Sequence, residues 1–474
     1  MPSLIRSASK ILSHAANTSD DATSMVIETT ADNELFTIGC HAGFTDANVD
    51  WGDGSTSAIT TYNDADLTHT YASASEHTIV ISGTTSLNMY GAANSSRLKV
   101  KRVLNFGNTG ATQLSGAFRG CENMTSFVSG NCDTSSVYNM SRMFQECTSL
   151  TTLDVSGFDT SSVTNMYAMI HNCISITSID VSNWDTSSVT NMSYVISRCF
   201  DLTSLDVSNW DTSSVINMDS MFRDNTVLTT IDVSGFNTSS ATNMRHMFYS
   251  CVALTTVDVS NFDTSSVTNM QGMFQNCPSV TLLDVSGFNT SSVTNMSNMF
   301  YICYNLTTID VSNWNTSSAT TMSGMFQACY DVTSLDVSGF NTSLVTNMYA
   351  MFYRCRAVTA GLDVSSFDTS SVTNMQYMFQ ELGTDNGASI DIIGVENFDI
   401  EVLIQQALRN FMVGVAIPTA RYDALLINWD AQDPFDGMFP NFGSSQYTAG
   451  GTAATARANL ISTDGWAISD GGTA

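Results

Sequence analysis

Three sets of side chains in this chain could do chemistry, and each is tied to a fixed interval. The first is a file of aspartates, Asp154, Asp180, Asp206, Asp232, Asp258, Asp284, Asp310, Asp336 and Asp363, each opening an Asp-Val-Ser triplet. Oxygen ligands in a row suit Na⁺ or Ca²⁺. No Asp-x-Asp-x-Asp-Gly loop accompanies them, and a solvated acidic face accounts for them without an ion. The second set is a file of cysteines, Cys121, Cys147, Cys173, Cys199, Cys251, Cys277, Cys303, Cys329 and Cys355, with Asn225 in the one vacant slot. Neither a Cys-x-x-Cys pair nor a Cys/His cluster points to metal. Side chains stacked about 4.8 Å apart also point the same way, which disfavours disulfides. The expectation is a reduced, buried column.

The third set is irregular. Between a recurring Asn-Met pair and the residue after each cysteine, side chains change from copy to copy. All seven arginines between Val103 and Gln380 fall there: Arg119, Arg142, Arg198, Arg223, Arg245, Arg354 and Arg356. So do His171, His246, Tyr167, Tyr194, Tyr249, Tyr301, Tyr349, Tyr353 and Tyr377, with several glutamines. Flat aromatic faces rimmed by arginine and amides grip sugars and proteins. The expected binding residues are therefore Tyr167, His171, Tyr194, Arg198, Arg223, Arg245, His246, Tyr249, Tyr301, Tyr349, Tyr353, Arg354 and Tyr377. Neutral drift of a surface is the competing account.

Catalysis is disfavoured. Glycoside hydrolysis needs a distinct pair of carboxylates, whereas these aspartates form a ladder. Only Glu122, Glu146 and Glu381 lie in or beside the copies. There is no Gly-x-Ser-x-Gly elbow and no phosphate-binding glycine loop. No catalytic residue, metal site or cofactor is expected, beyond Na⁺ or Ca²⁺ along the aspartates.

What must position these residues is one stretch written repeatedly. The Asp-Val-Ser triplet recurs every 26 residues, with one extra residue at Ala360-Gly361. Such a period means a solenoid of stacked units that cannot bury their apolar faces alone. Leu150, Leu153 and Val155 have strand spacing, with Asp154 pointing outward. Gly157 ends the strand, and Phe158 heads an aromatic column that includes Trp184, Trp210 and Trp314. Val163, Met166, Met169, Ile170 and Cys173 fit an extended turn followed by a helical turn. The methionine column, Met140 to Met375, reads as core. The asparagine column, Asn139 to Asn374 with Thr321 the exception, is expected to hydrogen-bond neighbouring coils.

These residues resemble the BspA-like leucine-rich repeats of bacterial surface proteins, in the 26-residue form with Leu-Asp-Val-Ser-x-Trp/Phe and Asn-Met-x-x-Met-Phe-x-x-Cys. The resemblance spans residues 98–380 and implies adhesion. Upstream, residues 24–83 alternate as short strands. Val49-Asp50-Trp51-Gly52-Asp53-Gly54-Ser55 with His69-Thr70-Tyr71 resembles the polycystic-kidney-disease (PKD) type of immunoglobulin-like domain, a spacer in which Asp53 and His69 are structural. Residues 84–97 read as a linker, with Leu98 to Cys121 a degenerate first coil. Residues 381–474 read as a capping module, with helices over Glu401–Leu408 and Tyr422–Trp429. Residues 1–23 are a frayed terminus or a docking peptide.

The chain has 474 residues, carries a net charge of −28 and contains only three lysines. Such a field repels phosphate backbones, so nucleic acid is not an expected partner. No apolar run reaches the ~20 residues of a membrane span, and the start has no secretory h-region. The expected fold is mainly β with short helices. A PKD/immunoglobulin-like β-sandwich precedes a right-handed, leucine-rich-repeat-like solenoid of about eleven coils with a C-terminal α/β cap. At about 4.8 Å per coil the stack would be about 50 Å long. The expected function is non-enzymatic adhesion: first, a phage tail fibre or other virion component, made in host cytoplasm, that contacts a host-surface glycan or protein. It would join other virion proteins through its N-terminal segment and is a possible homo-oligomer. A bacterial cell-surface adhesin is the second reading, and a polysaccharide depolymerase the third.

Overall fold

The structure, a computed structural model, describes residues 21–42, 44–91, 94–387, 389–432 and 434–474. The expected docking peptide falls almost wholly outside the described residues. The chain divides into two compact units, Met1–Val215 with Asp224–Leu228, and Ile216–Arg223 with Thr229–Ala474. It is mainly β with few helices, and its sheets are open.

The first unit begins with two antiparallel sheets. Strands β1 (Thr23–Glu28), β3 (Thr45–Asp50), β4 (Thr56–Ile59) and β6 (Glu76–Thr84) share one sheet in the order β4-β3-β6-β1, and β2 (Glu34–Thr37) pairs with β5 (Thr68–Tyr71) in the other. Phe36, Trp51 and Tyr71 are fully buried. The Tyr71 hydroxyl donates to the Trp51 carbonyl at 2.9 Å and ties the two sheets. Gly52 sits at φ +79°, and a Cβ there would lie 2.4 Å from the Thr78 carbonyl oxygen, so only glycine fits the turn. His69 stacks on Trp51, and its Nε2 is hydrogen-bonded to Asp53 Oδ2 at 2.7 Å.

The larger sheet does not stop at residue 84. β1 also pairs antiparallel with β7 (Val100–Phe106), which pairs in parallel with β8 (Ser126–Val128), and β8 with β9 (Thr152–Asp154). One seven-stranded sheet thus runs from the antiparallel strands into the repeats. In the connection that follows β6, Leu87 and Met89 are fully buried. In the degenerate first coil Arg102 pairs with Ser126, a step of 24 residues (126 − 102) where the regular copies step 26.

In both units successive copies lie in parallel register. Met140, Arg142, Phe144 and Glu146 donate backbone N–H groups to the carbonyls of Asn165, Tyr167, Met169 and His171, at 3.0, 2.7, 2.9 and 2.8 Å. Met270, Gly272, Phe274 and Asn276 in the second unit do the same to Asn295, Ser297, Met299 and Tyr301. These bonds run between copies, not four residues back, so the expected helical turn does not form: the segment is a series of turns. Methionines from Met140 to Met375, cysteines from Cys121 to Cys355 and the aromatic column are all buried. Rings of the aromatic column stack, Trp184 on Trp210 at 6.0 Å and Phe288 on Trp314 at 6.2 Å.

The asparagine column mostly bonds within its own copy, although Asn243 Nδ2 donates to Asn217 Oδ1 of the adjacent copy at 3.2 Å, as expected. Its side-chain oxygens accept from the amide two residues on in the same copy, as Asn165 does from Tyr167 at 2.9 Å. Neighbouring copies meet at this column chiefly through backbone bridges such as Asn139 to Asn165. A short polar side chain bonds most readily to its own turn.

Past Glu381 the sequence period breaks but the ladder continues. Met375 donates to Ala407, Phe379 to Phe411, Met412 to Asn441 and Phe442 to Ser469. Leu362–Asp363 pairs in parallel with Ile392–Ile393. The helix expected over Glu401–Leu408 is a run of turns, because that stretch serves the ladder. The expected helix at Tyr422–Trp429 is α1 (Thr419–Asp430), and α2 (Thr452–Ser462) packs on it. The Asp470 side chain, only 3% exposed, accepts from the Tyr422 hydroxyl at 2.7 Å and from Arg457 Nε at 2.8 Å.

Candidate binding surface

The irregular stripe has its own backbone. Two positions in each copy have positive φ, one three residues after the asparagine and one seven after it. The first column includes Arg142, Tyr194, His246 and Tyr377, the second Glu146, Arg198, Ile302 and Arg354, with φ from 54° to 66°. Left-handed backbone costs an L-residue roughly 1–2 kcal/mol. The inter-copy hydrogen bonds hold it in place, and side chains splay from a rigid ladder.

In the first unit Arg142 lies over the Tyr167 ring at 4.9 Å, and Tyr167 meets Tyr194 edge-on at 6.0 Å. Tyr194 meets the ring of His171 at 5.5 Å, and His171 Nδ1 is 2.8 Å from Ser197 Oγ. Arg198 stands apart, exposed beside Phe200.

The second unit carries two groups. In one, Arg223 covers Tyr249 at 4.4 Å, and His246 meets Tyr249 at 5.0 Å. Arg245 donates to Gln271 at 3.2 Å and faces Asp219 at 3.7 Å. The His246 ring lies over Gly272, where a Cβ would approach it to 2.5 Å. Burial, with Arg245 and Arg223 beside it, lowers the His246 pKa to about 4. In the other group Tyr304 stacks on Tyr330 at 4.5 Å and 8°, with Arg356 over Tyr330 at 5.1 Å. Arg354 covers Tyr353 at 4.9 Å, and Tyr377 meets Tyr349 and Tyr353 at 5.5 and 6.0 Å. Glu381 accepts from Arg354 at 3.3 Å and from Arg356 Nε at 3.0 Å. Burial raises its pKa, but the two guanidiniums outweigh this and hold it below the usual glutamate range. Tyr301 is close enough to Tyr304 and Tyr349 to help raise their phenol pKa values, after burial and nearer tyrosines.

The sequence reading omits Tyr304, Tyr330 and Glu381 from the candidate residues. The first two follow Cys303 and Cys329 directly and share the column of Arg356, so the 26-residue interval itself was the available signal.

The other candidate chemistry is taken up locally. Each aspartate of the file accepts from the serine two residues on, as Asp180 Oδ1 does from Ser182 Oγ at 2.6 Å and its amide at 3.1 Å. These two bonds hold Asp180 below the ordinary carboxylate range. Among the described residues no group of three or more His, Cys, Asp or Glu is placed to hold a metal ion. Ser55 Oγ donates to Asp53 at 2.6 Å and lies 3.5 Å from the same His69 Nε2 that bonds Asp53. A catalytic histidine would bridge the two through opposite ring nitrogens. No helix among the described residues is long and apolar enough to cross a membrane.

A family model described as "Mycoplasma protein of unknown function, DUF285" matches residues 112–205, 174–282 and 273–391, together more than half of the chain. The chain belongs to this family. DUF285 is a repeat family related to BspA-like surface repeats. Its matches lie on the stacked copies and leave the antiparallel sheets and α1 and α2 outside. No curated protein matches the chain.

Proposed function

We propose that the chain is a non-enzymatic adhesion protein. One observation carries this: within the repeats, arginines laid over tyrosines gather in the one stripe that the 26-residue interval leaves variable. Regular columns form the core or cap turns, while the stripe gathers arginines over tyrosines in both units. The stacked copies act as a leucine-rich-repeat-like solenoid, and the antiparallel sheets as a PKD-type spacer. The ligand is a glycan or protein on another surface, and nucleic acid is disfavoured by the net charge of −28. The carrier is a phage virion or a bacterial cell surface, and the family description favours the bacterial one. Cell-surface fractionation and purified virions separate the carriers. Replacing Tyr353→Ala and Arg354→Ala together should weaken adsorption to target cells with the thermal unfolding profile retained. Unchanged adsorption would count against the stripe.

A further inference from the structure

We infer that the copies spanning residues 301–381 form an oligosaccharide-binding patch, an assignment that rests on the adhesion reading above. Three observations carry it. The first is ring geometry. Tyr377 stands at 66° to Tyr349 and 55° to Tyr353, so these rings are not used up in parallel stacking on one another, and Tyr349 is 37% exposed. Tyrosine faces of this kind pack on the C–H faces of sugar rings, and the hydroxyls bond at the rim. The second is fixed polarity. Arg354 and Arg356 are each laid over a tyrosine and share Glu381, so two donors are pre-set with one carboxylate between them. Pre-set donors spare the ordering entropy that weakens polar recognition.

The third observation is size, and it decides between ligand classes. Four copies at about 4.8 Å each extend about 19 Å along the stack, and within one copy the patch runs only from Tyr349 to Arg356. That is a few hundred Å², against the roughly 800 Å² per partner of a stable protein interface. An oligosaccharide of a few units fits this footprint, whereas a protein partner needs more surface. The two guanidiniums against one carboxylate accommodate neutral or acidic sugars in a chain that is otherwise strongly anionic.

The test uses the full-length chain on immobilised oligosaccharides (neutral hexose, N-acetylhexosamine and uronic acid oligomers) and on a panel of bacterial and epithelial cells. Binding to at least one saccharide is expected. Tyr349→Ala with Tyr353→Ala should weaken it about tenfold or more, with the thermal unfolding profile retained, and Tyr138→Ala, at an exposed tyrosine outside the stripe, should not. Cells are also treated with periodate, which cleaves sugar diols, or with protease. Adhesion lost to periodate supports the inference. Adhesion that survives periodate but is lost to protease overturns the saccharide while the adhesion reading stands. Equal binding by the double variant and the unmodified chain overturns the location. Adhesion to no cell and binding to no saccharide would sink both.

Discussion

Asn225 donates its side-chain amide to the carbonyl of Ile196 at 2.9 Å, the bond that Cys199 makes through its thiol to Ile170 at 3.3 Å. The same thiol-to-carbonyl bond recurs from Cys147 to Phe118 and from Cys277 to Phe248, at 3.1 and 3.0 Å. The cysteine column is thus a column of donors, and asparagine substitutes because it keeps the donor. It adds an acceptor too, since Cys199 N–H reaches Asn225 Oδ1 at 3.1 Å. Asn225→Ala leaves a buried carbonyl and a buried amide without these partners and should cost about 2–3 kcal/mol. Asn225→Cys should cost clearly less. Urea midpoints of the two variants check the order.

Thiol chemistry should be silent in the folded state. Burial pushes the thiols of Cys199, Cys303 and Cys355 up to about 12 and those of Cys147, Cys173, Cys277 and Cys329 well above the ordinary range. Half-buried Cys40 is raised to about 11. The thiolate is the reactive form. Alkylation at pH 8 should therefore label Cys40 slowly and the column hardly at all, with all eleven cysteines labelled in denaturant. Mass spectrometry of intact protein reads the count.

Backbone strain in the stripe should be removable. Ile302 is β-branched and holds φ at 64°, a conformation such residues rarely adopt. Ile302→Gly relieves it and should stabilise the fold by about 1 kcal/mol, net of glycine's greater unfolded entropy. Thermal denaturation reads the sign. A lower melting temperature would show that the side chain's packing outweighs the strain.

Acid should unfold the protein in two steps. His246, 7% exposed, has a folded pKa of about 4 against an ordinary 6.5, with burial first and Arg245 and Arg223 next as the causes. His77 is lowered as well, mainly by burial. Between about pH 6.5 and 4 the unfolded chain binds more protons than the folded one, so stability falls as pH falls, by on the order of 3 kcal/mol for His246. Aspartates such as Asp180, Asp206 and Asp310, held low by their serine partners, add a loss as pH falls from their ordinary 3.8 down through their lower folded values. His246→Asn, which tolerates the left-handed backbone, should flatten part of the first step in pH-dependent urea titrations and leave the second unchanged.

The C-terminal module should hinge on one carboxylate. Asp470→Ala strips Arg457 and Tyr422 of a buried partner and should cost about 3 kcal/mol. Loss of α1 and α2 helicity before the rest of the chain would be the signature in hydrogen exchange.

Much of this was legible because repetition averages out ambiguity. Inward Leu153 and Val155, the methionine and cysteine columns and the outward Asp154 follow from alternation and spacing alone. The helix expected over Glu401–Leu408 does not form, because an apolar-rich stretch also suits a turn-rich coil whose backbone bonds go to neighbours. The buried threonine column was not legible: Thr160 is 1% exposed and donates to the Asp185 carbonyl at 2.8 Å, yet threonine in a Thr-Ser-Ser run reads as surface. Tyr304 and Tyr330 could have been read from their register. Their face-to-face pairing could not, because it depends on how two copies are offset.

Strand β1 lies antiparallel against β7, the first strand of the parallel ladder. A further copy therefore cannot dock there without displacing a strand of reversed direction. Lengthening or shortening by whole 26-residue modules is left to the interior of the array, where each new rung meets neighbours identical to those it separates. A gene built this way can gain or lose reach by unequal crossover while keeping both of its ends.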